Sequence, residues 1–106
     1  MRRGTTQSLT FTFNSDLSQA NIIALYYTFM QKGIVLFEKT LNDVTISTNQ
    51  IIVPLTQEDT LKISANHGEL VQDKVLVQAR IKINNNVFAT NIVEIEPEAI
   101  LKDGVI

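Results

Sequence analysis

Along most of this chain apolar and polar residues alternate one by one. In Leu9, Thr10, Phe11, Thr12 and Phe13 the apolar side chains fall on one face and the threonines on the other. That period of two describes a half-buried strand. Asn14, Ser15 and Asp16 then punctuate the chain. Ile22–Met30 is rich in β-branched and aromatic residues and reads as a strand. A helix is the competing reading, because Ile23, Tyr27 and Met30 also lie at helical spacing. Gln31, Lys32 and Gly33 supply a turn, and Ile34–Lys39 returns. Val44 and Ile46 alternate with Thr45 and Ser47, and a turn at Thr48–Gln50 leads into Ile51–Leu55. Pro54 has no N–H, so it belongs at a strand edge or end.

Thr56–Thr60 breaks the alternation. Thr56 can cap a helical turn, with Asp59 three residues on as its reciprocal partner. Leu61 and Ile63 follow, then a polar loop at Ala65–Gly68. The last hairpin is the most fully specified segment. Val75, Val77, Ala79, Ile81 and Ile83 alternate with Leu76, Gln78, Arg80 and Lys82, and Asn84, Asn85 and Asn86 form the turn. A three-residue loop pairs Ile83 with Val87, Ile81 with Ala89, Val77 with Val93 and Val75 with Ile95. A two-residue loop sets Val77 opposite Glu94, so the three-residue loop is expected.

Seven or eight short strands at regular spacing predict an all-β fold. The expected form is an immunoglobulin-like antiparallel sandwich of about seven strands, with a small β-barrel as the alternative. A chain of 106 residues suits one domain, residues 1–106, and can bury a core without staples. The 44% hydrophobic and 19% charged content is too apolar for intrinsic disorder. There are no cysteines, which excludes disulfides, zinc–thiolate sites and thiol catalysis. A net charge of −2 gives no strong field for nucleic acid or an anionic membrane. The longest apolar run, Ile22–Met30, is far short of the roughly 20 residues a membrane helix needs. Polar residues after Arg2 and Arg3 occupy the place of a signal sequence's apolar region. The expectation is a soluble protein made in a cytoplasm.

Candidate chemistry reduces to isolated groups. His67, the single histidine, stands in a loop signal with Glu69 and Asp73 as its nearest carboxylates. That is a weak metal set and a weak triad. Glu58 and Asp59 suit the start of a helical turn, and Glu94, Glu96 and Glu98 suit a solvated strand face. The four glycines are scattered and form no phosphate loop. The expectation is therefore no enzyme, no cofactor and no metal. Tyr26 and Tyr27 are adjacent in a strand, so they face opposite ways and one of them reaches a surface or an interface. An exposed tyrosine motivates a carbohydrate-binding alternative, disfavoured by the absence of tryptophan.

The two ends form arms, residues 1–6 and 98–106. Arg2 and Arg3 precede the first strand, and Ile100, Leu101, Val105 and Ile106 make an apolar close. Such a tail is expected to fold back on the sandwich or to dock on another chain, by adding a strand to an open edge. Three segments also carry a resemblance. The opening, Arg2–Thr6 followed by Leu9–Phe13, the middle, Val53–Leu61, and the close, Leu101–Val105, are similar to short structural proteins from tail modules of phages and prophages of Gram-positive bacteria. Those proteins resemble immunoglobulin-like domains and the N-terminal domains of baseplate proteins. The resemblance implies a non-enzymatic tail or baseplate accessory, made in a bacterial host cytoplasm and destined for the virion tail. Self-association or contact with other tail proteins is expected; the resemblance carries over no site residues, and the candidate contacts, read from the residues themselves, are Arg2, Arg3, Tyr26, Tyr27, Ile100, Leu101, Val105 and Ile106.

Overall fold

The computed structural model describes residues 5–14, 16–17, 20–63 and 74–96. The strands are β1 (Gln7–Thr12), β2 (Ile22–Gln31), β3 (Ile34–Thr40), β4 (Thr45–Ile46), β5 (Gln50–Leu55), β6 (Val75–Ile83), β7 (Asn86–Ala89) and β8 (Val93–Ile95). A 3-10 turn at Leu41–Asp43 follows β3, and the short helix α1 (Gln57–Leu61) follows β5. The run from Ile22 is a strand rather than a helix: β-branched and aromatic residues fit the pleat, and β3 and β6 flank it on both sides.

Two antiparallel sheets pack face to face. One has the order β1-β5-β4, and the other has the order β3-β2-β6-β7 with β8 also on β6. The ladders are separate, so the protein is a sandwich and not a closed barrel. In immunoglobulin lettering the two sheets read B-E-D and C′-C-F-G, with β7 and β8 as two pieces of one broken G strand. No strand stands in the place of A among the described residues.

The core lies where the inward sets of the two sheets meet. Leu25, Tyr27 and Phe29 of β2 and Val75, Val77, Ala79 and Ile81 of β6 face Ile51, Val53 and Leu55 of β5. Phe29 stacks on Phe37 with ring centroids 4.4 Å apart. Phe11 of β1 meets Tyr27 of the other sheet at 4.7 Å. Burying a side chain of this size contributes about 1.5–3 kcal/mol.

The connections obey local chemistry. Lys32 and Gly33 both have positive φ, 55° and 74°, and close the β2–β3 hairpin as a two-residue turn of the mirror-image kind. Thr56 caps α1: its hydroxyl accepts from the Asp59 N–H at 3.1 Å, and the Asp59 carboxylate accepts from the Thr56 N–H at 2.9 Å. The expected capping box is thus present. Thr60, fully buried, donates to the Thr5 carbonyl at 2.8 Å and ties the stretch before β1 to α1. Pro54 is exposed, one residue from the end of β5, where β4 no longer reaches.

The last hairpin departs from expectation. Ile83 pairs with Asn86 and Ile81 with Phe88, so the loop has two residues, Asn84 and Asn85. Farther along, Val77 pairs with Val93 and Val75 with Ile95, the register that the three-residue loop requires. Both registers coexist because a bulge separates them. Asn84 takes φ 54°, which asparagine tolerates, and shortens the loop. The extra residue is absorbed at Thr90–Ile92. There Thr90 donates its N–H to the Ala79 carbonyl at 2.9 Å, while its hydroxyl accepts from the Ala79 N–H at 3.0 Å. A side chain thus replaces the missing ladder acceptor.

Candidate functional site

Among the described residues no strand takes the place of A, and with the slipped hairpin this leaves one side of the described sandwich uncovered. Among the described strands, β1 pairs only with β5, while β7 and β8 pair only with β6. Between these two free edges runs a groove of about 870 Å³. Its apolar lining is Phe11, Phe13 and Leu17 on one side and Ile81, Phe88 and Val93 on the other. Thr10, Thr12, Asn14, Thr90 and Asn91 rim it, and among the described residues no ionisable side chain lines it. Phe88 shares a face with the buried Ile81 yet is 54% exposed, because nothing described lies over it. The groove offers apolar contact and strand edges. It lacks the convergent polar groups that orient a small ligand or a reacting atom.

A second open edge lies at the other end of the larger sheet. Among the described strands β3 pairs only with β2, and its first residues Ile34 and Val35 are 65% and 47% exposed. Glu38 and Lys39 place charge on the far half of β3, so the uncharged opening is at Ile34–Leu36. An unpaired edge with apolar side chains is a template for another strand.

The outer face of the larger sheet carries a shallow depression of about 190 Å³, formed by Ala24, Tyr26, Arg80, Lys82 and Val87. Tyr26 is paired with Arg80 and is 49% exposed. Among the described lining residues it is the one aromatic ring, so they offer a sugar one stacking face.

Tyr27 must be withdrawn from the expected contact residues. It is 1% exposed and belongs to the core. The parity of β2 decides this: Leu25, Tyr27 and Phe29 point inward, and the polar Thr28 marks the outward set that includes Tyr26. Burial raises the Tyr27 phenol well above its ordinary value. Its hydroxyl has no hydrogen-bond partner among the described residues. Arg2, Arg3, Ile100, Leu101, Val105 and Ile106 lie outside the described residues, as do His67, Glu69, Asp73 and Glu98. Glu94 and Glu96 are exposed. Glu94 meets Lys74 at 3.2 Å with both side chains in solvent, a pair worth little.

A nearly covered ion pair ties β3 to α1: Lys39 of β3 pairs with Asp59 of α1. Burial pushes the Asp59 carboxyl up, but the Lys39 ammonium and the Thr56 N–H and hydroxyl outweigh it and hold the group below the usual carboxylate range. The pair joins two elements and faces no cavity described above, so its role is structural.

Sequence reasoning did not find Ile34, Val35, Val87 or Phe88 as exposed apolar residues. Each is an ordinary strand residue whose exposure depends on which strand lies at an edge. Compared with known proteins, the chain matches no family model, no curated relative and no solved structure.

Proposed function

We propose that the protein is a non-enzymatic structural protein of a phage or prophage tail, a tail or baseplate accessory that acts through protein–protein contacts. The observation that carries the reading is the outer edge of β3, where Ile34 and Val35 are exposed and no described strand pairs beyond β2. Strand addition there supplies main-chain hydrogen bonds for affinity and side-chain contacts for specificity. The sequence resemblance at Arg2–Thr6, Val53–Leu61 and Leu101–Val105 points to the tail module as the setting. On this reading the protein is made in a bacterial host cytoplasm and ends in the virion tail.

Sedimentation velocity over a range of concentrations tests the contact. The natural chain is expected to self-associate or to co-sediment with purified tails. An Ile34→Asp, Val35→Asp double variant keeps its far-ultraviolet circular dichroism and loses that association. A natural chain that stays monomeric at every concentration and ignores the tails would overturn the reading.

A further inference from the structure

We infer that the outer face of the larger sheet, at Tyr26, Arg80, Lys82 and Val87, receives an extended acidic segment of a partner protein, with carboxylates two residues apart seated on Arg80 and Lys82. The inference does not rest on the proposed function, because it concerns the face of β2 and β6 and not the edge of β3.

Placement argues for it first. Arg80 and Lys82 are exposed and two residues apart on β6, so both point outward, roughly 7 Å apart along the strand. Arg80 lies between Tyr26 of β2 and Ala89 of β7, and Lys82 lies between Ala24 and Val87. None of these four neighbours is a carboxylate, although a carboxylate directly opposite a cation stabilises a sheet. The outward carboxylates of the paired strands are Glu38, opposite Thr28, and Glu94, opposite Leu76. Neither is in register with the two cations. Lys39 and Lys74 each meet a carboxylate. Arg80 and Lys82 meet none among the described residues. The sheet thus presents two adjacent positive charges that it does not neutralise itself.

The surroundings form a seat for them. Tyr26 and Val87 are 49% and 55% exposed and, with Ala24, edge the depression of about 190 Å³. That space holds one or two side chains rather than a whole small ligand. Tyr26 and Val87 offer apolar contact to the methylenes of a glutamate, and the Tyr26 hydroxyl offers a donor to its carboxylate.

An extended acidic chain is the anion that fits. Every second side chain of such a chain falls on one face, at the same repeat as Arg80 and Lys82. A nucleic acid fits less well. The net charge of −2 works against its phosphate backbone, and a single ring provides no run of stacking platforms. Exposed ion pairs are individually weak and screened by salt, so the contact is modest and salt-sensitive.

Fluorescence anisotropy of labelled six-residue peptides, titrated with the full chain, tests the inference. One peptide carries two glutamates two residues apart among threonines. A second has glutamines in their place, and a third has the two glutamates adjacent. The first is expected to bind with a dissociation constant below about 1 mM at low salt and to weaken several-fold as salt is raised. An Arg80→Gln, Lys82→Gln double variant is expected to bind it about tenfold more weakly. The glutamine peptide is expected not to bind, and the adjacent pair to bind several-fold more weakly. Both cations are exposed, so the variant should keep its far-ultraviolet circular dichroism. If it does not, the three peptides still answer with the natural chain alone. No binding of the first peptide at about 1 mM protein overturns the inference. Equal binding of the glutamate and glutamine peptides, of the spaced and adjacent pairs, or by the natural and variant chains also overturns it. Tighter binding of a six-nucleotide oligothymidylate overturns it as well, because the face then reads phosphate. None of these results bears on the β3 contact, which sedimentation reads separately.

Discussion

Tyr27 shows what one buried atom does to this sandwich. Its ring packs on Phe11 across the two sheets, while its hydroxyl is covered without a hydrogen-bond partner among the described residues. The ring stabilises the core, and the hydroxyl is desolvated for no return. Tyr27→Phe is therefore expected to raise stability by about 1 kcal/mol, read from the urea midpoint. The raised phenol adds a pH dependence. Its neutral form is the one the fold accepts, so the stability it contributes is complete below about pH 10 and falls as pH rises beyond that. Phenylalanine should flatten this alkaline loss. A lower midpoint for the variant would show that the hydroxyl has a partner after all. Alternation sets Tyr26 and Tyr27 on opposite faces but leaves open which is buried, because both sets are largely apolar; the packing of the sheets decides it.

At the scale of elements the last hairpin is the instructive case. Alternation alone correctly sets Val75 against Ile95 and Val77 against Val93. It misses the slip at β7, because periodicity counts residues and cannot see one looped out. The element that permits the slip is Thr90, whose hydroxyl takes the buried Ala79 N–H. Thr90→Val keeps the shape and removes that acceptor. The substitution is expected to cost about 1–3 kcal/mol, the penalty of a buried donor left unpaired. Amide exchange should localise the loss to Ala79 and the β7–β8 junction. Undiminished protection at Ala79 would mean that another acceptor serves it. The strands and the capped turn at Thr56 were legible because each rests on local chemistry. The groove was not, because Phe11, Phe13, Ile81 and Phe88 meet only through the pairing of distant strands.

For the whole molecule, α1 carries the chain from the three-stranded to the five-stranded sheet, and Asp59 fastens that crossing to Lys39 of β3. The lowered carboxyl makes this tie sensitive to acid. Its contribution is present above the ordinary carboxylate value of about 3.9 and is lost as pH falls through the lower folded value. Asp59→Asn should cost about 1–3 kcal/mol at neutral pH and flatten the acid limb of the stability curve below pH about 4. A variant with an unchanged acid limb would place the sensitivity elsewhere.

Pro54 has a consequence for the chain before it folds. Ile51, Ile52 and Val53 form a short, uncharged, β-branched run of the kind that stacks into cross-β fibrils. In the finished sandwich that run is flanked by β1 and β4. On the ribosome or in an unfolded molecule it is bare. A proline next to it removes one hydrogen bond from every rung of a growing stack and fixes a backbone angle that stacked strands tolerate poorly. The residue that the native sheet accommodates at a margin thus acts as a gatekeeper against aggregation. On the proposed reading, in which folded strand edges meet neighbouring proteins, that guard leaves docking to the folded edges alone.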